Sequence, residues 1–201
     1  MNFEFAEKIN LALKTLDFTK ALKIAKQALE ELPVSDFHAV LDRTLIEQAD
    51  ELVNWVDDFY QLASKERDIK SLYLEINEFD INTDMWFLEG FAYLSNGGLD
   101  LENLENMDWL CDYDGNSPNV FELKGFELLQ TAFSKIEIKE ENGDWTDELQ
   151  DARDWCEQII IIKFMELVRQ SHIIAKQKKL LWAKIPIYFT EHGYDFIVKS
   201  E

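Results

Sequence analysis

The stretch "TDELQDARDWCEQIIIIKFMELVRQSHIIAKQKK", Thr146 to Lys179, decides the fold. A helix that lies on a surface keeps its apolar residues on one stripe, but Ile159, Ile160, Ile161 and Ile162 are apolar on every side, so a helix here has to be covered all round. Its ends are marked. Asp144 or Thr146 supplies the N-cap, Asp147 and Glu148 sit in the first turn where acids are favourable, and Lys176, Lys178 and Lys179 sit in the last where bases are. The pattern predicts one long central helix over about 146–180, around which the other elements assemble.

Toward the N-terminus there is no glycine before Gly90 and one proline, Pro33, so the opening part reads as helical. Phe5, Ile9, Ala12, Leu13 and Leu16 recur at helical spacing, and Phe18, Leu22, Ala25, Ala28, Leu29 and Leu32 do so again. This is a helical hairpin turning between Leu16 and Thr19. A third helix is expected from a cap at Ser35 or Asp36 to Lys65.

From Ser71 the period changes to two. Leu72, Leu74 and Ile76 alternate with Tyr73, Glu75 and Asn77, the mark of a half-buried strand. "MWFLEGFAYLS" reads as a second strand with Gly90 as a bulge, or as a helix over 85–94. "VFELKG" reads as a short strand and "FELLQTAFSKI" as a short helix. In the tail "KIPIYFTEHGYDFIVKS" two apolar runs flank Glu191, His192 and Gly193 and predict a β-hairpin.

The expected fold class is α+β and helix-dominated: an N-terminal helical hairpin plus third helix, a small antiparallel sheet from the middle and the C-terminal hairpin, and the long central helix. The length of 201 residues suits a single domain over 1–201, with a helical part at 1–70, a mixed acidic part at 71–143, and the long helix and hairpin at 144–201.

The opening "MNFEFAEKIN" lacks a basic start followed by an apolar run, and the "IIII" run ends at Lys163, well short of the roughly 20 apolar residues that span a bilayer. The expectation is a cytoplasmic protein with no membrane partner. Two cysteines, Cys111 and Cys156, make neither a disulfide framework nor a metal-ligand spacing.

Charge is the strongest global signal, with 40 acids, 20 bases and a formal net charge of −20. It is not spread evenly. Residues 71–123 hold 12 acids and no Lys, Arg or His, whereas the long helix carries Lys163, Arg169, Lys176, Lys178 and Lys179. Such a tract repels nucleic acid and favours a basic protein partner, unless it is neutralised within the fold by the basic helix.

Near the end of that tract stands "DWLCDYDGN", Asp108–Asn116. As a calcium loop it fails: with Gly115 sixth, Leu110 falls at the first ligand position and Phe121 at the twelfth. It also lacks any base to orient a substrate, so no catalytic residue is assigned to it. No HExxH, no phosphate-binding glycine loop and no Cys/His nucleophile spacing occurs elsewhere, so no metal and no cofactor are expected.

What the stretch offers is an acidic turn anchored by an aromatic. Asp108, Trp109, Asp112, Tyr113 and Asp114 are therefore the candidate partner-binding residues. The leading function class is an acidic protein-binding module, in concrete form an immunity-type inhibitor that covers the basic surface of a toxin or nuclease. Two other classes stand beside it: a carboxylate-based enzyme recruiting a divalent ion to Asp108, Asp112 and Asp114, and a structural or regulatory subunit whose acids only solubilise it.

Overall fold

The computed structural model describes residues 3–65, 67–79, 81–96, 98, 116–193 and 197–201. Helices α1 (Phe3–Lys14) and α2 (Phe18–Glu30) form the expected hairpin. The turn falls at Leu16, whose backbone takes the left-handed conformation at φ 58°, and Asp17 caps α2 by accepting from the Lys20 N–H at 3.0 Å.

The continuous third helix is not formed. Two 3-10 turns, Asp36–Val40 and Ile46–Gln48, precede a shorter helix α3 (Ala49–Ala63). His38 folds back, its ring nitrogen Nδ1 accepting from the Ser35 N–H at 3.1 Å and Nε2 donating to the Leu29 carbonyl at 3.0 Å. The carbonyls that a longer helix would bond internally are captured by lysines instead. The Lys163 ammonium takes those of Val40 and Arg43, and Lys26 takes that of Leu41 at 3.2 Å. Burial first, and then repulsion from Lys26, pull Lys163 down to about 8. Apolar periodicity alone does not reveal this, because the capturing lysines lie far away in sequence.

Strands β1 (Ser71–Ile76), β2 (Phe87–Tyr93), β3 (Phe121–Glu122), β4 (Ile187–Glu191) and β5 (Val198–Ser200) make one sheet in the order β3-β2-β1-β4-β5. Three pairings are antiparallel and β1 with β4 is parallel, so the sheet is mixed where a purely antiparallel one was expected. The reason is connection length. Between β1 and β4 run β2, β3, the short helices α4 (Glu127–Phe133) and α5 (Ile136–Glu141), and the long helix α6 (Asp147–Lys178), which is chain enough for a crossover.

Helix α6 has the predicted place. Ile159 to Ile162 are each fully buried, and Phe164 meets Phe189 of β4 edge-on at 6.3 Å between ring centres. Thr146 caps the start, accepting from the Leu149 N–H at 3.3 Å, and Lys179 closes the end in the left-handed conformation. None of the helices among the described residues is long and apolar enough to cross a membrane.

The residues 87–93 are strand, not helix, and Gly90 is no bulge: it stands in register with Leu74. Glycine is required there by close approach. A Cβ would lie 2.9 Å from Phe59 Cε1 and 3.1 Å from Trp55 Cη2. Both rings are packed, Trp55 tilted on Phe59 at 6.2 Å and on Phe121 at 5.9 Å. Gly90→Ala is expected to lower stability by about 1–3 kcal/mol through overpacking. Urea unfolding checks this, and an unchanged midpoint would mean that the rings yield freely.

Candidate functional site

Strand alternation sends Leu72, Leu74 and Ile76 into the core and leaves Tyr73 and Glu75 on the opposite face of the sheet. Directly opposed residues of an antiparallel pair project to the same side, so Tyr73 meets Phe91 and Glu75 meets Glu89 on that face. The Tyr73 and Phe91 rings are 5.7 Å apart. Two like charges set opposite each other in neighbouring strands destabilise a sheet, and this pair has to be compensated from outside the two strands.

Part of the compensation comes from the turn after β4. The parallel β1–β4 register places Glu191 beside Ile76, the His192 N–H donates to the Ile76 carbonyl at 2.9 Å, and the imidazole arrives at the acids. His192 Nδ1 lies 2.9 Å from Glu75 Oε1, and Nε2 lies 3.9 Å from Glu78 Oε1. The other Glu75 oxygen accepts from the Tyr73 hydroxyl at 2.5 Å. The hydrogen bond to Glu75 first, and then that residue's charge, raise His192 above the usual imidazole range. Burial first, and then Glu75, hold the Tyr73 phenol protonated.

Around these groups lies a cavity of about 360 Å³ walled by Phe87, Phe91 and Ile81, with Glu75, Glu78, Glu89 and His192 among its lining residues. Its floor is held in shape by Asn77, whose side chain accepts from the Phe87 N–H at 2.7 Å and donates to the Met85 carbonyl at 3.2 Å. Asn82 ties the same turn by donating to the Glu78 carbonyl at 3.2 Å. Among its described lining residues the only side chain able to carry positive charge is His192.

A second cavity, of about 500 Å³, adjoins the first and shares Ile81 with it. It is built by α4, α5 and the start of α6: Phe133, Ile136 and Trp145 form apolar walls, with Glu137, Glu140 and Arg153 among the lining. The Arg153 guanidinium lies 2.7 Å from Asp154 and 3.2 Å from Glu157, so its charge is already met. Gln150 links this group to the wall, accepting from the Trp145 indole at 3.0 Å and donating to Asp154 at 2.9 Å.

The sequence-predicted residues Asp108, Trp109, Asp112, Tyr113 and Asp114 lie outside the described residues, as does Cys111. The described ends of their segment are tied to the strands that carry the cleft. Ser71 donates to the Ser95 carbonyl at 2.7 Å and Tyr188 donates to Asn96 at 2.5 Å. At the other end Asn116 bridges to Phe91, and Ser117 exchanges hydrogen bonds with the Gly90 backbone at 2.7 and 3.0 Å.

Sequence reasoning missed Glu75, Glu78, Glu89 and His192 as one site. The signal for the acids was present, since all three belong to the base-free tract and Glu75 alternates outward. The signal for His192 was not, because only the long-range β1–β4 pairing brings it there.

Among the described residues two further reactive side chains, Cys156 and His172, lie in the core. Cys156 is buried, and that burial raises its thiol well above the usual range. His172 is fully buried, stacked on Trp182 at 5.7 Å, with Nε2 donating to the Ala183 carbonyl at 3.2 Å and Nδ1 accepting from the Ser200 hydroxyl at 2.5 Å. Among the described residues no group of three or more His, Cys, Asp and Glu side chains is placed to hold a metal ion. No protein-family model, curated protein or solved structure matches the chain.

Proposed function

We propose that the chain is an acidic protein-binding module whose base-free tract engages a basic surface of a protein partner, in the form of an immunity-type inhibitor that covers the cationic face of a toxin or nuclease. The observation that carries this reading is the collection of Glu75 and Glu89 on one sheet face, with Glu78 from the turn beyond β1, around a cavity with phenylalanine walls and no lysine or arginine among its described lining residues. Carboxylates on a cleft wall steer a cationic partner and speed its encounter, while aromatic rings supply the apolar contact that holds it. A guanidinium entering the cavity meets both, pairing with the carboxylates and stacking on a ring.

His192 then acts as an internal competitor. It faces Glu75 of β1, which the Tyr73 hydroxyl also meets, Glu78 from the turn beyond and Glu89 from β2, and follows Glu191 of β4. Protonated, it neutralises part of the cleft; as pH rises through its raised pKa the positive charge is lost and the cleft becomes more negative. Affinity for a synthetic nona-arginine peptide is therefore expected to rise several-fold from about pH 6 to about pH 8. In His192→Gln the rise is lost. A wild-type profile that is flat, or that falls with pH, contradicts the competition.

The reading itself is tested by capture. Wild-type protein and a Glu75→Gln/Glu89→Gln variant are used as bait in lysate of the cells that make the chain, with Glu30→Gln/Glu31→Gln as a control that removes equal charge from the exposed end of α2. Loss of the same basic proteins from the first variant but not from the control supports a partner-facing cleft. Identical capture by all three rules out these residues.

A further inference from the structure

Resting on the binding-module reading, we infer that the partner's footprint runs past the acidic tract, across Ile81, into the second cavity, and that one basic segment of the partner occupies both. The two cavities are not separate features of the surface. Ile81 lines each of them and is 77% exposed, a large apolar side chain at the saddle between two acid-bearing depressions.

The second cavity matches the first in character although it comes from a different part of the chain. Its walls are Phe133, Ile136 and Trp145, and its acids are Glu137 and Glu140 of α5. The positive charge of Arg153 is met by Asp154 and Glu157, both within salt-bridge distance. Of the two lysines in and before α5, Lys139 is drawn toward Asp36 at 3.7 Å and neither lines the cavity.

Charge complementarity therefore selects the same kind of occupant twice. The fitting partner element is a protein segment with two basic side chains flanking an apolar one: the first cation among Glu75, Glu78 and Glu89, the apolar residue on Ile81, and the second cation at Glu137 and Glu140. An apolar centre ringed by polar contacts is the arrangement in which interface energy concentrates. Nucleic acid is excluded as occupant by the sign of the charge.

The test uses two synthetic peptides of equal length and charge, one alternating arginine with leucine and one alternating arginine with alanine, titrated into the isotope-labelled full chain and followed by backbone amide shifts. The expected result is one saturation curve, at one peptide per chain, shared by amides in 75–82 and in 136–140. The leucine peptide binds about fivefold tighter than the alanine peptide, a difference of about 1 kcal/mol. That advantage disappears in Ile81→Ser, an exposed position whose replacement leaves the core untouched.

Shifts confined to 75–82, or two independent curves at two peptides per chain, overturn the shared footprint and leave the acidic-module reading standing. Shifts scattered over all exposed acids, including those of α1 and α2, overturn both.

Discussion

Replacing Arg153 by methionine is expected to destabilise the fold by about 3–5 kcal/mol, the usual loss when one member of a buried ion pair is removed. Arg153, Asp154 and Glu157 are only 5%, 4% and 3% exposed. Without the guanidinium two carboxylates remain in a site that offers them little water, one turn apart on the same helix, and they repel each other. The guanidinium also lies 5.6 Å from the Phe133 ring, so α4 loses a contact with α6. Removing the whole ionic group, as Arg153→Met with Asp154→Asn and Glu157→Gln, is expected to recover most of the loss, because amides in place of carboxylates leave no uncompensated charge. Urea unfolding followed by circular dichroism measures both variants. A loss below about 1 kcal/mol in the single variant would mean that the carboxylates find other partners or water.

The second large effect is acid destabilisation through His172. Burial first, and then repulsion from Lys176 and Arg169, outweigh the Ala183 carbonyl and pull this imidazole down to about 4. Its folded pKa lies below its unfolded value of about 6.5, so between these values the unfolded chain binds more protons. The stability that depends on neutral His172 is present above about pH 6.5 and is lost as pH falls toward 4, to a total of about 3 kcal/mol. Protonation has a local cost as well. A proton on Nδ1 displaces the hydrogen that Ser200 donates, while Arg169 already donates to the same hydroxyl at 2.6 Å. The last strand, β5, is held to α6 through this hydroxyl. In His172→Gln the fold is weaker near neutrality, and the wild-type and variant stability curves converge as pH is lowered from about 6.5 to about 4. Parallel curves across that window would show that His172 does not titrate there.

How much of this was legible beforehand differs from element to element for physical reasons. The hairpin of α1 and α2, the strand at Ser71–Ile76, the cap at Thr146 and the buried α6 are set by local period and end chemistry, which a single sequence carries. The break at 36–48 is set by Lys26 and Lys163 reaching backbone carbonyls from other helices. The parallel register of β1 with β4 is set by what the crossover allows. Gly90 was singled out from sequence, but its reason is steric contact with Phe59 and Trp55 rather than a bulge. The candidate site follows the same division. Its sign, an acidic tract free of bases, was legible, and its shape was not. The carboxylates gather only when β1 and β2 pair, and His192 joins them only when β4 docks. One cation of the basic helix is paired outside the tract: Lys178 meets Asp50 of α3 at 2.7 Å.

The acidic face is tested most directly by zero-length carbodiimide coupling of the chain to the partner it captures from its own cells, followed by mass spectrometry of the joined peptides. This chemistry links a partner lysine only to a carboxylate it touches. Coupling at Glu75, Glu78 and Glu89 is the predicted result, with Glu137 and Glu140 in the same complex. Coupling confined to acids that line neither cavity, such as Glu30 and Glu31 at the end of α2, would contradict it.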